Sequence, residues 1–345
     1  MKVNTLKYFI ATVAAMSVVC SCAKNTLETP PPTEETQSPI TFSNVSTKAA
    51  LSDLQTDGFG VWALISNSEV KNKVLMENQY VKYNDGKWVY SPLRYWLPNT
   101  VFNFIATYPY DQNGEYYTFD SENSAVNLTV TETPYVDYMI ATNTTDTSEG
   151  FSETVDLQFK HLLTSVGLNI WRDQGKHQND QMRIIHVTLG NIRKSGTYSS
   201  DKDKWEPHTE KITLEKTYEA FSDSDNIGAA VVNSDGTLTP GVDYPAKPFT
   251  DQLLIPQTLD ASNKVSLKIY YQLWRDTGDD TDPDGTKNWE DAELEIELPN
   301  GTWEPNRRYT YNVVLSSVKD ITFYYIQTKI TPWGAPQVGG TIIIK

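Results

Sequence analysis

No long segment of this chain holds a helical period. Short apolar runs instead alternate with polar residues and stop at turn residues, repeatedly, from residue 40 onward. Phe59–Ile65 (FGVWALI) is nearly continuous in apolar character, as expected for a central strand covered on both faces. Leu163–Trp171 places Val166, Leu168 and Ile170 on one face, with Ser165, Gly167 and Asn169 on the other. Asn84-Asp85-Gly86 separates Gln79–Tyr83 from Lys87–Tyr90 and predicts a hairpin. The 20 Tyr, 11 Phe and 9 Trp, together with Thr and Val, favour pleated, half-buried surfaces. The chain therefore reads as all-β, and its spacing fits two sandwiches rather than one barrel.

A 345-residue chain exceeds one ordinary core and predicts more than one domain. The polar stretch Asn143–Ser152 (NTTDTSEGFS) is the expected linker, which gives an N-terminal sandwich over 40–152 and a C-terminal one over 153–345. The formal net charge of −15 repels phosphate backbones, so nucleic acid is not an expected partner.

Residues 1–21 read as an export signal. Lys2 and Lys7 precede an apolar run, Phe9–Val19, that is too short for a stable bilayer anchor. Val19-Cys20-Ser21-Cys22 resembles the bacterial lipobox, with Ser21 at the small position and Cys22 as the residue that would be lipidated. Both cysteines of the chain lie here, so the expected mature protein carries no disulfide and no thiol nucleophile. Residues 22–39 are rich in Pro, Thr and Glu and read as an extended tether.

Two stretches stand out as exchangeable strands. In Ile40–Ala50 the apolar residues Ile40, Phe42 and Val45 are followed by one basic residue, Lys48, among small neighbours. Cleavage between Lys48 and Ala49 would release that strand and open a hydrophobic groove. Gln337–Lys345 (QVGGTIIIK) follows Pro332-Trp333-Gly334-Ala335-Pro336 and carries Val338, Ile342, Ile343 and Ile344. A free strand of this kind requires a pairing partner, unless it is a plain final edge strand.

Catalytic patterns are not legible. His161, His177, His186 and His208 lack metal-ligand spacing, and there is no G-x-S-x-G, phosphate loop or H-E-x-x-H. Neither an enzyme nor a cofactor is expected. Asp280, Asp282, Asp284 and Asp291 follow calcium-loop spacing, but position 12 is Asp and Lys287 replaces an apolar residue, so a solvated acidic loop is the preferred reading. Trp205, Trp289 and Trp303 lie near polar loops and leave open a glycan-stacking surface.

Taken in order, several motifs resemble those of the fimbrillins, subunits of type V pili of Gram-negative anaerobes. They are the lipobox, Thr47-Lys48-Ala49, Ser91-Pro92-Leu93-Arg94-Tyr95-Trp96-Leu97-Pro98, Phe104-Ile105-Ala106 and Asp137-Tyr138-Met139-Ile140-Ala141. Phe159-Lys160-His161-Leu162-Leu163, Leu254-Ile255-Pro256-Gln257 and Arg308-Tyr309-Thr310-Tyr311 complete the set. The resemblance implies two tandem transthyretin-like Greek-key sandwich domains on a surface-directed outer-membrane lipoprotein precursor. It also implies a trypsin-like protease that cuts at Lys48, removal of the first strand, and its replacement by a neighbouring subunit's terminal strand, 337–345. The expected partners are other pilus subunits, the processing protease and, through lipid, the outer membrane. The alternative function is a pilus tip adhesin or a monomeric surface lipoprotein that binds glycans or host protein.

Overall fold

The computed structural model describes residues 38–47, 51–134, 136–150, 154–174, 180–218, 226–241, 244–274, 289–316, 324–333 and 340–344. The first half runs β1 (Phe42–Thr47), β2 (Phe59–Ser66), β3 (Lys73–Asn84), β4 (Lys87–Val89), β5 (Val101–Tyr108), β6 (Tyr117–Asp120), β7 (Ala125–Val130), β8 (Met139–Asp146) and β9 (Val155–His161). A short helix, α1 (Leu51–Asp57), joins β1 to β2. Next come β10 (Thr164–Asp173), β11 (Gln181–Arg193), β12 (Gly196–Ser199), β13 (Lys204–Pro207), β14 (Lys211–Thr217), β15 (Ala229–Val232) and β16 (Leu238–Pro240). The last are β17 (Ala246–Leu254), β18 (Gln257–Leu259), β19 (Ser266–Trp274), β20 (Glu290–Glu297), β21 (Gly301–Trp303), β22 (Arg307–Leu315), β23 (Tyr324–Pro332) and β24 (Gly340–Ile344). The chain is all-β.

The main sheet of the first half has the order β1-β9-β8-β5-β2-β3-β4. It rolls until its two ends meet. The Ile40 amide donates to Arg94 O at 2.9 Å and the Trp96 amide donates to Ser38 O at 3.0 Å, which ties the chain before β1 to the segment after β4. Residues on the inward face, among them Phe59, Val61, Ala63, Phe102, Phe104 and Leu157, form one core. The outward face of β2, β5 and β8 is apolar too. Trp62, Leu64, Ile105 and Ile140 pack under a smaller sheet ordered β13-β12-β7-β6. This double covering is why FGVWALI is apolar at every step: seven consecutive residues of β2 are buried, and neighbours in sequence serve different cores.

The second half packs two sheets face to face. One is ordered β16-β15-β10-β22-β23-β24, with β17 also on β10, and the other β14-β11-β19-β20. Between them lie Val166, Leu168 and Ile170 of β10, Tyr309, Tyr311 and Val313 of β22, and Val187, Leu189, Leu267 and Ile269 from the facing sheet. The two-stranded ribbon β18-β21 closes one end, where Trp303 Nε1 donates to the Tyr311 hydroxyl at 2.8 Å.

The boundaries differ from the sequence reading in three places. Asn143–Asp146 of the expected linker belongs to β8, because alternating Thr and Asn hold the ladder with β5. The division at 152/153 falls just before β9, which pairs with β8 and β1 in the first sheet. The hairpin β12–β13, well past that division, pairs with β7 and places Tyr198 and Trp205 in the first half's outer core. A core shared in this way makes residues 37–345 one compact unit.

Gly58 ends α1. Its φ is +72°, and its amide donates to Leu54 O at 2.9 Å. A Cβ there would lie within 2.5 Å of Val81 O and of the Tyr80 ring. Gly58→Ala therefore combines a left-handed φ with a backbone clash, and chemical denaturation should show a loss of about 1–3 kcal/mol.

Candidate functional site

The site is the slot that β1 occupies. Ile40, Phe42 and Val45, read from sequence as the apolar face of the first strand, are 0%, 3% and 7% exposed. All three belong to the core enclosed by the rolled sheet. Phe42 meets Phe59 and Phe104 edge to face, each at 6.2 Å between centroids, and meets Tyr90 at 5.7 Å. Phe42 and Val45 are three residues apart, so a regular strand would point them to opposite faces. A register shift solves this: Phe42 pairs with Val155 and Val45 with Leu157, three residues of β1 against two of β9. Sequence alternation alone did not reveal that bulge.

Backbone and polar contacts pin the ribbon on both sides. β1 runs parallel to β9, ending with Ser46 opposite Gln158 and Thr47 opposite Phe159. The Val155 amide donates to Thr41 O at 2.7 Å. On the other side the Tyr90 hydroxyl donates to Ile40 O at 2.9 Å and accepts from the Arg94 amide at 3.2 Å. Arg94 is fixed in turn, its Nε donating to Leu75 O at 3.0 Å. This explains the local value of the SPLRYWLP segment, whose Arg94 and Trp96 form the far rim of the slot.

Beside the ribbon an open cleft of about 800 Å³ is lined by Phe42, Val45, Leu51, Trp88, Tyr90 and Leu93. Leu51 and Leu93 at its mouth are exposed, 38% and 50%. Thr41, Ser43, Gln55 and Lys87 share the lining, so the cleft is an open, mixed surface along the outside of the ribbon.

Other sequence candidates fall elsewhere. Cys22, Lys48, Ala49, Val338, Asp280, Asp282 and Asp284 lie outside the described residues. Residues 340–344, which include Ile342, Ile343 and Ile344, form β24. It runs antiparallel to β23 at the end of the second half's sheet, from Gly340 opposite Ile330 to Ile344 opposite Ile326. Asp291 sits in β20 and accepts from Gln272 Nε2 at 2.7 Å. Among the described residues no group of three or more His, Cys, Asp or Glu could hold a metal ion, and no helix is long and apolar enough to cross a membrane. Trp205 and Trp303 turn out to be buried, with Trp205 Nε1 donating to Leu162 O at 2.7 Å. The Trp289 ring lies under the Arg183 guanidinium at 4.2 Å. Trp205 and Trp303 nonetheless line one open cleft of about 510 Å³, together with Arg193, Gln257 and Glu304. His161 is buried and bonded to Asp137, which sequence spacing did not single out.

The chain matches the fimbrillin-like family over residues 47–333. No curated protein matches it. Among solved structures it is similar to a fimbrial protein from Bacteroides vulgatus, at 18% identity and a TM-score of 0.63, over 86% of this chain and 99% of that one. It is also similar to a candidate cell adhesion protein from Bacteroides ovatus, at 15% identity and a TM-score of 0.47, over 86% and 98%.

Two outcomes follow from the slot's geometry. Phe42→Ala empties the centre of an aromatic cluster and should destabilise the intact chain by about 3–5 kcal/mol in chemical denaturation. Burial, partly offset by Arg94, raises the Tyr90 hydroxyl above its ordinary pKa of 10.0. Its stabilising contribution is thus complete below pH 10 and is lost as the pH rises through the raised value. Alkaline unfolding curves of wild type and Tyr90→Phe should accordingly converge above that pH.

Proposed function

Because the chain belongs to the fimbrillin-like family, we propose that it is a structural subunit of a cell-surface pilus that assembles by strand exchange. In this reading the precursor is exported as a lipoprotein anchored through Cys22 to the outer membrane. A trypsin-like protease cuts between Lys48 and Ala49. The first strand, with Ile40, Phe42 and Val45, then leaves its slot, and residues 337–345 of a neighbouring subunit enter it. The protein has no catalytic role.

One observation carries the reading. A strand at the edge of its sheet, with the two residues before it, supplies three core side chains, and its ladder partner lies more than 100 residues away in sequence. With about 100 Å² of apolar area on each of three or four side chains, at about 25 cal/mol/Å², an incoming strand gains about 8–10 kcal/mol before ordering costs. Backbone pairing to β9 would add a row of hydrogen bonds. A head-to-tail contact of this kind does not close on itself, so it propagates as a filament.

The alternative, a tip adhesin or monomeric surface lipoprotein that binds glycans or host protein, has one feature in its favour, an open cleft of about 510 Å³ lined by Arg193, Trp205, Gln257 and Trp303.

Limited trypsin treatment of the full chain should yield a mature N-terminus at Ala49 and a ladder of polymers that survives mild denaturant. Lys48→Gln should block both the new terminus and the ladder. Deletion of residues 337–345 should leave cleavage intact and abolish the ladder. A clean cut at Lys48 that yields only stable monomers would sink the proposal.

A further inference from the structure

The resident strand and its slot do not share one period. On β9 the inward residues Val155, Leu157 and Phe159 are buried, and Asp156 and Gln158 between them are exposed, a regular alternation of two. β1 meets that row unevenly. Phe42 lies opposite Val155, Val45 opposite Leu157 and Thr47 opposite Phe159, so β1 takes three steps and then two where β9 takes two and two. The additional residue falls between Phe42 and Val45, in the Ser43-Asn44 pair, and makes the bulge. Ser43 is exposed, and its hydroxyl accepts from Thr154 Oγ1 at 2.9 Å. The third place in the row goes to a polar residue, since Thr47 donates through its hydroxyl to Met139 Sδ at 3.4 Å.

We infer that β1 is an imperfect occupant of its own slot, which is built for a regular strand with apolar residues at every second position. This rests on the strand-exchange reading, and it gives the exchange a direction. The argument is geometric. Phe42 and Val45 stand opposite β9 residues that are two apart, so removing one residue between them displaces neither end of the ribbon. The ties at Ile40, to Arg94 O and to the Tyr90 hydroxyl, stay where they are. A regular strand in the same place keeps both apolar contacts and restores the pairing opposite Asp156 that the bulge interrupts. Ile342 and Ile344 of the terminal segment are two residues apart, the spacing that such a ladder takes. The occupant that fits is therefore the terminal strand of a second copy, set against β9 without a bulge.

Two measurements test this, the first of them independent of any exchange. In the uncut chain, deletion of Asn44 removes the bulge and keeps Ser43 with its bond from Thr154, so the urea midpoint should rise by about 0.3 M. Deletion of Ser46, which lies outside the bulge and turns the end of the strand over, should lower it. The second measurement uses the full chain after trypsin cleavage, with the trypsin then inhibited. Synthetic peptides of residues 38–47 compete there with the resident strand. The peptide without Asn44 should displace it at a concentration about fivefold to tenfold lower than the unaltered peptide needs. The peptide without Ser46 should do no better than the unaltered one. An unchanged or lower midpoint for the Asn44 deletion, or tighter binding by the unaltered peptide, would overturn the inference and leave exchange standing. Should no peptide enter the cut chain, the strand-exchange reading itself fails.

Discussion

The first half closes around one ring. Phe42 touches Phe59 on β2, Phe104 on β5 and Tyr90 beyond β4, so it contacts three well-separated parts of the rolled sheet at once. Remove it, and the rings of Phe59, Phe104 and Tyr90 each lose a partner at the place where backbone bonds from residues 38–40 tie the sheet's two ends together. Close packing in protein interiors tolerates such a void poorly. Either the sheet collapses around the gap, or another apolar strand takes the place. That alternative is the physical basis for reading the slot as a site of exchange rather than as ordinary architecture.

The junction between the halves obeys a related constraint. β2, β5 and β8 are apolar on both faces, and an apolar outer face must be covered. The cover comes partly from β6 and β7, partly from a hairpin lent by the second half, β12–β13, and partly from Trp333. Trp205 serves that packing, and its ring nitrogen meets the Leu162 carbonyl in a segment that leads from one half to the other. The two halves share a core instead of meeting at a polar interface. Such an arrangement resists the relative domain motion expected of two sandwiches on a linker.

Much of this was legible in the sequence. Strand identity followed from alternation and turn residues, and the burial of Ile40, Phe42 and Val45 followed from their apolar character in a polar setting. What failed was local parity and long-range ownership. Alternation could not place Phe42 and Val45 on one face, because a bulge resets the count and leaves no residue signature here. The Thr-rich run at 143–146 looked like a linker, since Thr suits exposed strands and loops alike. The hairpin β12–β13 and the aromatic residues near it looked like surface, because nothing local records that their covering partner is β7, some 70 residues upstream. His161 gave the weakest signal of all, as its meaning depends on Asp137 and Trp333, which lie 24 and 172 residues away in sequence.

The parallel pairing of β1 with β9 has one more consequence. β1 has its ladder partners at residues 155–159, far along the chain. While the chain is whole, the connection through α1 keeps β1 near its slot at high local concentration, and its docking is a folding event. Under the proposed cleavage beyond Thr47, the same contacts would become a bimolecular equilibrium, governed by dilution. The ribbon's contacts would be identical a moment before and a moment after the cut; what changes is that a competitor of similar affinity can now win by abundance alone.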